Sequence, residues 1–287
     1  MSRLPQTFVA IITPFSDDLS VDIDAHRHNV SVLAEQGCLG FVIGGSTGEG
    51  PYLDPGERGL LVAATRAVSR DAMIVCGING ESVRQATRQI GEVTGAGADF
   101  ALVATPTTLI RGKDDLVKAF YTQVADDSPV PLLLYSNPSV AAYEIPTDMV
   151  TALSDHPNIF GVKDSGGNPK RISELTNAID RGFAVFSGSS KTLVESAERG
   201  AQGAVTASAN YAFGLVNGAI AGDAAAQEHL TALVSVIEPM GRAGTKYAAG
   251  ARGLITGPLR PPLAPVGAED RLKIDAVLDS RKRSRPE

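Results

Sequence analysis

The sequence predicts a (β/α)8 barrel followed by a helical extension. Eight short apolar runs of strand length alternate with longer amphipathic segments between residues 8 and 222, which is typical of repeated βα units. The chain has 287 residues and is 43% hydrophobic, enough to bury a barrel-sized core. A doubly wound sheet is less favoured because it needs a reversal of strand order and usually a dinucleotide loop, and no G-x-G-x-x-G pattern is present.

Each strand of the barrel is predicted from a run of apolar residues that ends at a polar or turn-forming residue. The predicted strands are Phe8–Ile12, Gly40–Ile43, Met73–Gly77, Asp99–Val103, Pro131–Tyr135, Ile159–Val162, Phe183–Phe186 and Gly203–Thr206.

The helices between the strands carry start and stop signals. The first is predicted over Asp24–Gln36, before Gly37, and the second to begin at Asp54-Pro55-Gly56-Glu57. Asn168-Pro169 predicts another start, with proline at the first helical position. From residue 223 onward only helical periodicity continues, including a segment near 247–255. We therefore divide the chain into a catalytic barrel, 1–222, and a C-terminal helical extension, 223–287.

Composition limits the possible partners. With 20% charged residues and a net charge of −6, nucleic acid is not an expected partner, and the basic run Arg281–Arg285 is interpreted as a solvated tail. Cys38 and Cys76 lack metal or disulfide spacing and are expected to be buried thiols. His26 and His28 are interpreted as surface residues rather than metal ligands. No signal segment or apolar run of spanning length is present, so we expect a soluble, cytoplasmic protein with no membrane partner, no metal and no cofactor.

Lys163 is the residue around which a catalytic site is predicted. It directly follows the apolar run Ile159–Val162, and the carboxyl ends of parallel strands are where α/β folds place their chemistry. Burial disfavours an ammonium, and the resulting free amine attacks ketones to form a Schiff base. A lysine at a strand end can equally be a solvated side chain, so Lys163 alone does not decide the function.

Two neighbouring strand ends supply groups that complement a lysine. Tyr135 ends the preceding strand, and its phenol can pass a proton beside a carbonyl adduct, although it could simply be an aromatic residue at the barrel mouth. The Gly44–Gly50 loop offers backbone N–H groups and the hydroxyls of Ser46 and Thr47, which suit an anion such as the carboxylate of a 2-oxo acid. Nucleotide binding is disfavoured because no Gly-Lys-Ser/Thr follows.

Four motifs in order resemble the dihydrodipicolinate synthase / N-acetylneuraminate lyase family. They are Gly45-Ser46-Thr47-Gly48-Glu49, Leu134-Tyr135-Ser136-Asn137-Pro138, Gly161-Val162-Lys163-Asp164 and Ser187-Gly188-Ser189, with Lys246-Tyr247 and Leu259–Leu263 as further matches in the tail. The resemblance covers nearly the whole chain. It implies a class I aldolase that forms a lysine Schiff base with pyruvate or a related 2-oxo acid, in a homotetramer or homodimer.

The resemblance also implies a role for each matching residue. Lys163 corresponds to the Schiff-base lysine and Tyr135 to the proton shuttle. Ser46 and Thr47 correspond to the residues that hold the substrate carboxylate. Val205 corresponds to a residue of the eighth strand whose backbone contacts the bound oxo acid.

The second substrate is less determined. The run Leu153–Ile172 is most similar to 4-hydroxy-2-oxoglutarate aldolases, while Thr47–Pro51 and Arg260-Pro261-Pro262 are also similar to 2-keto-3-deoxygluconate aldolases. We therefore prefer an aldolase acting on a substrate of either type. The alternatives are a 4-hydroxy-tetrahydrodipicolinate synthase, a 2-keto-3-deoxy sugar acid dehydratase, and a catalytically weak paralogue that binds oxo acids.

Two departures from the family pattern bear on these alternatives, one in favour of the weak paralogue and one against the synthase. Thr108 stands where the family has a tyrosine that extends the proton relay of a neighbouring subunit, which favours the weak paralogue. Val140 stands where dihydrodipicolinate synthases have an arginine for the second substrate's carboxylate, and Ala141 and Ala142 follow it. From these residues we expect poor condensation of pyruvate with aspartate semialdehyde.

Overall fold

Eight parallel strands close into a barrel in sequence order. The computed structural model describes residues 4–179 and 182–279, so the predicted basic tail lies outside the described residues. Each strand pairs with the next, and the last strand pairs with the first. The strands are β1 (Thr7–Ala10), β2 (Gly40–Ile43), β3 (Met73–Ile78), β4 (Phe100–Ala104), β5 (Leu132–Ser136), β6 (Ile159–Asp164), β7 (Ala184–Ser187) and β8 (Gly203–Thr206). The predicted barrel is confirmed.

The strands are apolar along their whole length because both of their faces are buried. Alternate residues such as Phe8, Val42 and Leu133 form one cluster of buried side chains in the barrel interior. The residues between them, such as Val9 and Phe41, join a second cluster under the surrounding helices. Strands covered on both sides are expected to lack alternation of polar and apolar residues, as seen here.

Helices follow the strands around the outside of the barrel and continue beyond it. They are α1 (Ile23–Glu35), α2 (Glu57–Val68), α3 (Val83–Gly95), α4 (Asp114–Asp127), α5 (Pro138–Ala141), α6 (Thr147–Ser154), α7 (Pro169–Ala178), α8 (Leu193–Glu198), α9 (Ala209–Ile220), α10 (Ala224–Ile237), α11 (Gly241–Gly250) and α12 (Ala268–Asp279). The predicted start at Asn168-Pro169 is confirmed, since the Asn168 side chain accepts from the Lys170 N–H. Of the helices in the described parts of the chain, none is both long and apolar enough to cross a membrane.

Two predicted helix positions were wrong. Helix α2 begins at Glu57 rather than at Asp54, because Gly56 has a φ of +94° and ends the turn. The Glu57 carboxylate instead reaches back to accept from the Asp54 N–H at 2.7 Å. In the extension, α11 occupies Gly241–Gly250 rather than 247–255. Periodicity located these helices, but local backbone geometry set their ends.

The prediction that His26 is a surface residue was also wrong. Its side chain is buried between α1 and α2, with Nε2 2.8 Å from the Thr65 hydroxyl. Burial lowers the pKa of His26 to about 4, so the ring is neutral near pH 7. His28 is exposed as expected, and both cysteines are buried thiols whose pKa burial raises to about 12.

A buried ion pair and a backbone hydrogen bond join the C-terminal extension to the loop after β2. Lys246 of α11 donates to Glu49 at 2.8 Å, and both side chains are almost fully buried. The backbone N–H of Arg260 donates to the other oxygen of Glu49 at 2.9 Å. Because Glu49 belongs to the Gly44–Gly50 loop, these contacts position the same loop that carries Ser46 and Thr47.

Candidate active site

Lys163 and Tyr135 lie side by side at the carboxyl ends of adjacent strands. They are register partners between β5 and β6. The Lys163 Nζ atom lies 4.4 Å from the centroid of the Tyr135 ring, and each residue is only 8% exposed. Strand pairing alone therefore brings an amine and a phenol together at positions that are almost fully buried.

The residue after Lys163 fixes the end of β6. Asp164 accepts from Arg171 Nε at 2.7 Å, and both side chains are buried. The other oxygen of Asp164 accepts from the Gly166 N–H at 3.0 Å. Arg171 also donates to the Ile145 carbonyl. Since successive side chains of a strand point to opposite faces, anchoring Asp164 outside holds Lys163 towards the barrel mouth.

The Tyr135 phenol is more acidic than an ordinary tyrosine. Burial disfavours the phenolate, but the nearby Lys163 charge and hydrogen bonds with Asn137, Ser46 and Ser165 outweigh it and lower the pKa of Tyr135. The Asn137 side-chain amide donates to the phenol oxygen at 2.6 Å. An acidic phenol beside an amine is suited to exchanging protons with groups bound to that amine.

The Gly44–Gly50 loop folds tightly over the end of β2. A Cβ atom at Gly50 would lie 1.8 Å from the Gly44 carbonyl oxygen, so only glycine fits. The Gly48 carbonyl accepts from the Thr13 hydroxyl at 2.6 Å. The Ser46 carbonyl accepts from Arg242 Nε at 2.7 Å. These contacts hold Ser46 and Thr47 at the rim.

One cavity of about 310 Å³ is lined by all five residues predicted for the site: Ser46, Thr47, Tyr135, Lys163 and Val205. Val205 contributes to the wall from β8. The residues of the cavity wall are Ser46, Thr47, Tyr135, Asn137, Ser139, Val140, Lys163, Ser165, Gly188, Ser189, Ser190, Val205, Ala207, Glu238, Gly241, Arg242 and Thr245. Within the described residues, no group of three or more His, Cys, Asp or Glu side chains could hold a metal ion.

Sequence reasoning missed several residues of this wall. Asn137 and Gly188 belong to the motifs discussed above, but their contacts with Tyr135 and Lys163 were not anticipated. Glu238 and Arg242 lie in the segment predicted only as a C-terminal helical extension, and nothing in its pattern places it at the barrel mouth.

Thr108 and Val140, the two departures from the family pattern, lie in loops with well-defined positions. Glu81 accepts from the backbone N–H groups of Thr107 and Thr108 at 2.9–3.1 Å, so this turn is held within the subunit. Thr108 is exposed and is not among the hydrogen-bond partners of Tyr135. Val140 is 53% exposed at the cavity rim. The loop after β5 presents no cation to the cavity, as predicted.

We expect Gly188→Ala to slow imine formation on Lys163. An added Cβ would lie 2.0 Å from the Ser165 hydroxyl oxygen, so Ser165 must move, and 3.0 Å from Lys163 Cε, so the lysine is crowded as well. A misplacement of about 1 Å can cost roughly 100-fold in rate. The rate of pyruvate trapping by borohydride measures the effect. The matched control is Gly91→Ala on α3, where a Cβ would meet nothing within 4 Å. Equal trapping rates in both variants would contradict the prediction.

A buried amine beside an acidic phenol at the mouth of a (β/α)8 barrel is suited to a lyase of the aldolase class. The model of the dihydrodipicolinate synthetase family matches residues 3–281 of the chain. The chain belongs to this family.

The individual relatives agree on the class and differ in their second substrate. A 4-hydroxy-tetrahydrodipicolinate synthase of Methanothrix thermoacetophila is 34% identical over 281 residues, covering 94% of this chain and 95% of that protein. A probable mitochondrial 4-hydroxy-2-oxoglutarate aldolase of Emericella nidulans is 30% identical over 216 residues, covering 72% and 69%. The chloride-inhibited dihydrodipicolinate synthase of Acinetobacter baumannii, solved with pyruvate, matches with a TM-score of 0.89 and 28% identity, covering 96% and 98%. The synthase alternative is therefore better supported than the aldolase preferred from sequence.

Proposed function

We propose that the chain binds pyruvate or a related 2-oxo acid as an imine of Lys163 and forms or breaks a C–C bond beside it. The observation that carries this proposal is the register pairing of the buried Lys163 with Tyr135. In the proposed sequence, the Lys163 amine attacks the ketone carbon and the ketone oxygen leaves as water. The neighbouring methyl carbon then loses a proton, and the resulting enamine attacks the aldehyde carbon.

The proposal assigns the surrounding residues from their places in the cavity. Tyr135 transfers protons to and from the ketone oxygen and the aldehyde oxygen. Ser46 and Thr47 bind the carboxylate of the oxo acid through the loop after β2. Val205 forms the wall beneath the adduct. The proposed catalytic unit is the barrel, 1–222, and the extension, 223–287, supplies the remaining wall and a surface for a homotetramer or homodimer.

For the second substrate, we propose condensation with aspartate semialdehyde, the reaction of a 4-hydroxy-tetrahydrodipicolinate synthase. The names of the relatives support this activity, which reverses the preference drawn from Val140. Cleavage of 4-hydroxy-2-oxoglutarate is the second candidate, supported by the Emericella nidulans relative.

Two assays on the purified chain distinguish these activities. One follows consumption of pyruvate with aspartate semialdehyde, and the other follows release of pyruvate from 4-hydroxy-2-oxoglutarate. We expect kcat/KM for condensation to be at least about tenfold higher, which corresponds to 1.4 kcal/mol of transition-state discrimination. The opposite ranking would identify an aldolase. Absence of both activities, with pyruvate still trapped on the enzyme, would support the dehydratase or the weak paralogue.

A further inference from the structure

The cavity wall carries one cation besides Lys163. Arg242 of α11 uses its Nε atom to bind the Ser46 carbonyl at 2.7 Å, which fixes the guanidinium at the cavity mouth. In the part of the chain that the structure describes, no carboxylate lies within 4.0 Å of it and its terminal nitrogens have no hydrogen-bond partner. Arg171 and Arg260, by contrast, are both paired with carboxylates. Arg242 is thus anchored but has its two terminal nitrogens free.

A carboxylate lies on the same cavity wall as this cation. Glu238 lines the cavity together with Arg242. The two residues are four positions apart, a spacing that pairs opposite charges on a regular helix. Here Gly241, with a φ of +62° and a ψ of −142°, interrupts the helix between them. No ion pair joins Glu238 and Arg242 among the described residues, so the two side chains line the cavity without pairing with each other.

The Lys191 charge acts on the pKa of Glu238, but Lys191 forms no ion pair with Glu238 among the described residues. Burial raises the pKa of Glu238, while Ser190 and the Lys191 charge oppose this shift. No salt bridge within 4.0 Å joins Lys191 to Glu238 in the described parts of the chain. Glu238 accepts a hydrogen bond from Ser190 but has no ion-pair partner among the described residues, so it can still accept from a positively charged ligand group.

We propose that Arg242 and Glu238 determine the second substrate, with Arg242 binding its carboxylate and Glu238 its ammonium group. The substrate class is an aldehyde that carries an α-amino acid group. A guanidinium fork binds a carboxylate through two parallel hydrogen bonds, and an adjacent carboxylate selects for a cation beside it. The inference rests on the proposed function, since it concerns the group that attacks from the Lys163 enamine.

Arg242 explains how the protein could bind an acidic second substrate although Val140 stands in the loop after β5. The loop after β5 offers Val140 where a cation was expected, and the sequence therefore argued against an acidic second substrate. The structure places Val140 and Arg242 on the same cavity wall. A cation supplied by the C-terminal extension can bind the carboxylate of the second substrate, which the loop after β5 cannot do.

The test compares three aldehydes in condensation with pyruvate. Aspartate semialdehyde carries both charges, succinate semialdehyde carries only the carboxylate, and butanal carries neither. We expect kcat/KM to decrease in that order for the unmodified enzyme. In Arg242→Gln, we expect the two carboxylate-bearing aldehydes to lose about 10- to 100-fold more than butanal, the usual effect of losing a charged hydrogen-bonded pair. In Glu238→Gln, we expect the preference for aspartate semialdehyde over succinate semialdehyde to shrink about tenfold.

The controls separate binding of the second substrate from support of the loop. Arg252→Gln, on a guanidinium that donates to the Leu278 carbonyl and does not line the cavity, is the matched control and should preserve the order of the three aldehydes. If Arg242 only supports Ser46 or binds pyruvate itself, Arg242→Gln will slow pyruvate trapping and lower all three aldehyde rates equally. That result, or equal rates with all three aldehydes in the unmodified enzyme, would overturn the inference. Loss of pyruvate trapping in the unmodified enzyme would instead refute the proposed function.

Discussion

Lys163→Ala is expected to abolish measurable turnover. The substitution removes the only amine in the wall of the cavity as the structure describes it, and with it the covalent route. Removal of a covalent nucleophile elsewhere costs on the order of 10⁶-fold in kcat, and we expect an effect of that order. Steady-state condensation of pyruvate with aspartate semialdehyde measures it.

The fold is expected to tolerate this change. Lys163 Nζ lies at the cavity and makes no salt bridge in the described residues, so the substitution leaves no carboxylate without a partner. Lys170→Ala, an exposed position seven residues further along, is the matched control and should retain full activity. Circular dichroism and thermal unfolding check that both variants are folded. A folded Lys163→Ala enzyme with substantial turnover would rule out the proposed mechanism.

Tyr135→Phe is expected to lower kcat by roughly 10²–10⁴-fold, the usual contribution of general acid–base catalysis. The ring that packs beside Lys163 is retained, while the acidic hydroxyl and its hydrogen bond from Asn137 are lost. Because the phenol is proposed to serve both steps, imine formation and C–C bond chemistry should both slow. Single-turnover measurements of each step test this expectation.

The matched control for Tyr135 is another buried tyrosine. The hydroxyl of Tyr121 lies 2.9 Å from the Thr105 hydroxyl and outside the cavity wall. The same hydroxyl donates to the Val103 carbonyl at 3.3 Å. Tyr121→Phe should cost about 1–3 kcal/mol in the free energy of unfolding, from two lost hydrogen bonds, and leave the rate constants close to those of the unmodified enzyme. If both variants lose the same activity, the phenol of Tyr135 has a structural role instead.

The barrel was predictable because its pattern is local. Each strand is a short apolar run that ends at a turn residue, and eight such runs separated by helix-length segments have few other solutions. The ends of the elements were less predictable. Gly56 moved the start of α2, and packing between α1 and α2 buried His26, which no property of its own helix indicated.

In the site, too, the features set by the barrel pattern were predictable and those set by tertiary packing were not. Lys163 and Tyr135 could be paired from sequence because the topology of the barrel brings the ends of adjacent strands together. Arg242 could not, because its position depends on how the extension folds back over the barrel through contacts such as Lys246 with Glu49. Those contacts link residues about two hundred positions apart, and helical periodicity carries no information about them.

The most direct test of the central claim is the identity of the peptide that pyruvate labels. The purified enzyme is incubated with pyruvate and borohydride, digested, and mapped by mass spectrometry. An imine reduced on the enzyme adds the carbon skeleton of pyruvate to one lysine permanently. We expect a single modified peptide, the one that contains Lys163. Labelling of Lys191 or Lys246 instead, or no labelling, would contradict it.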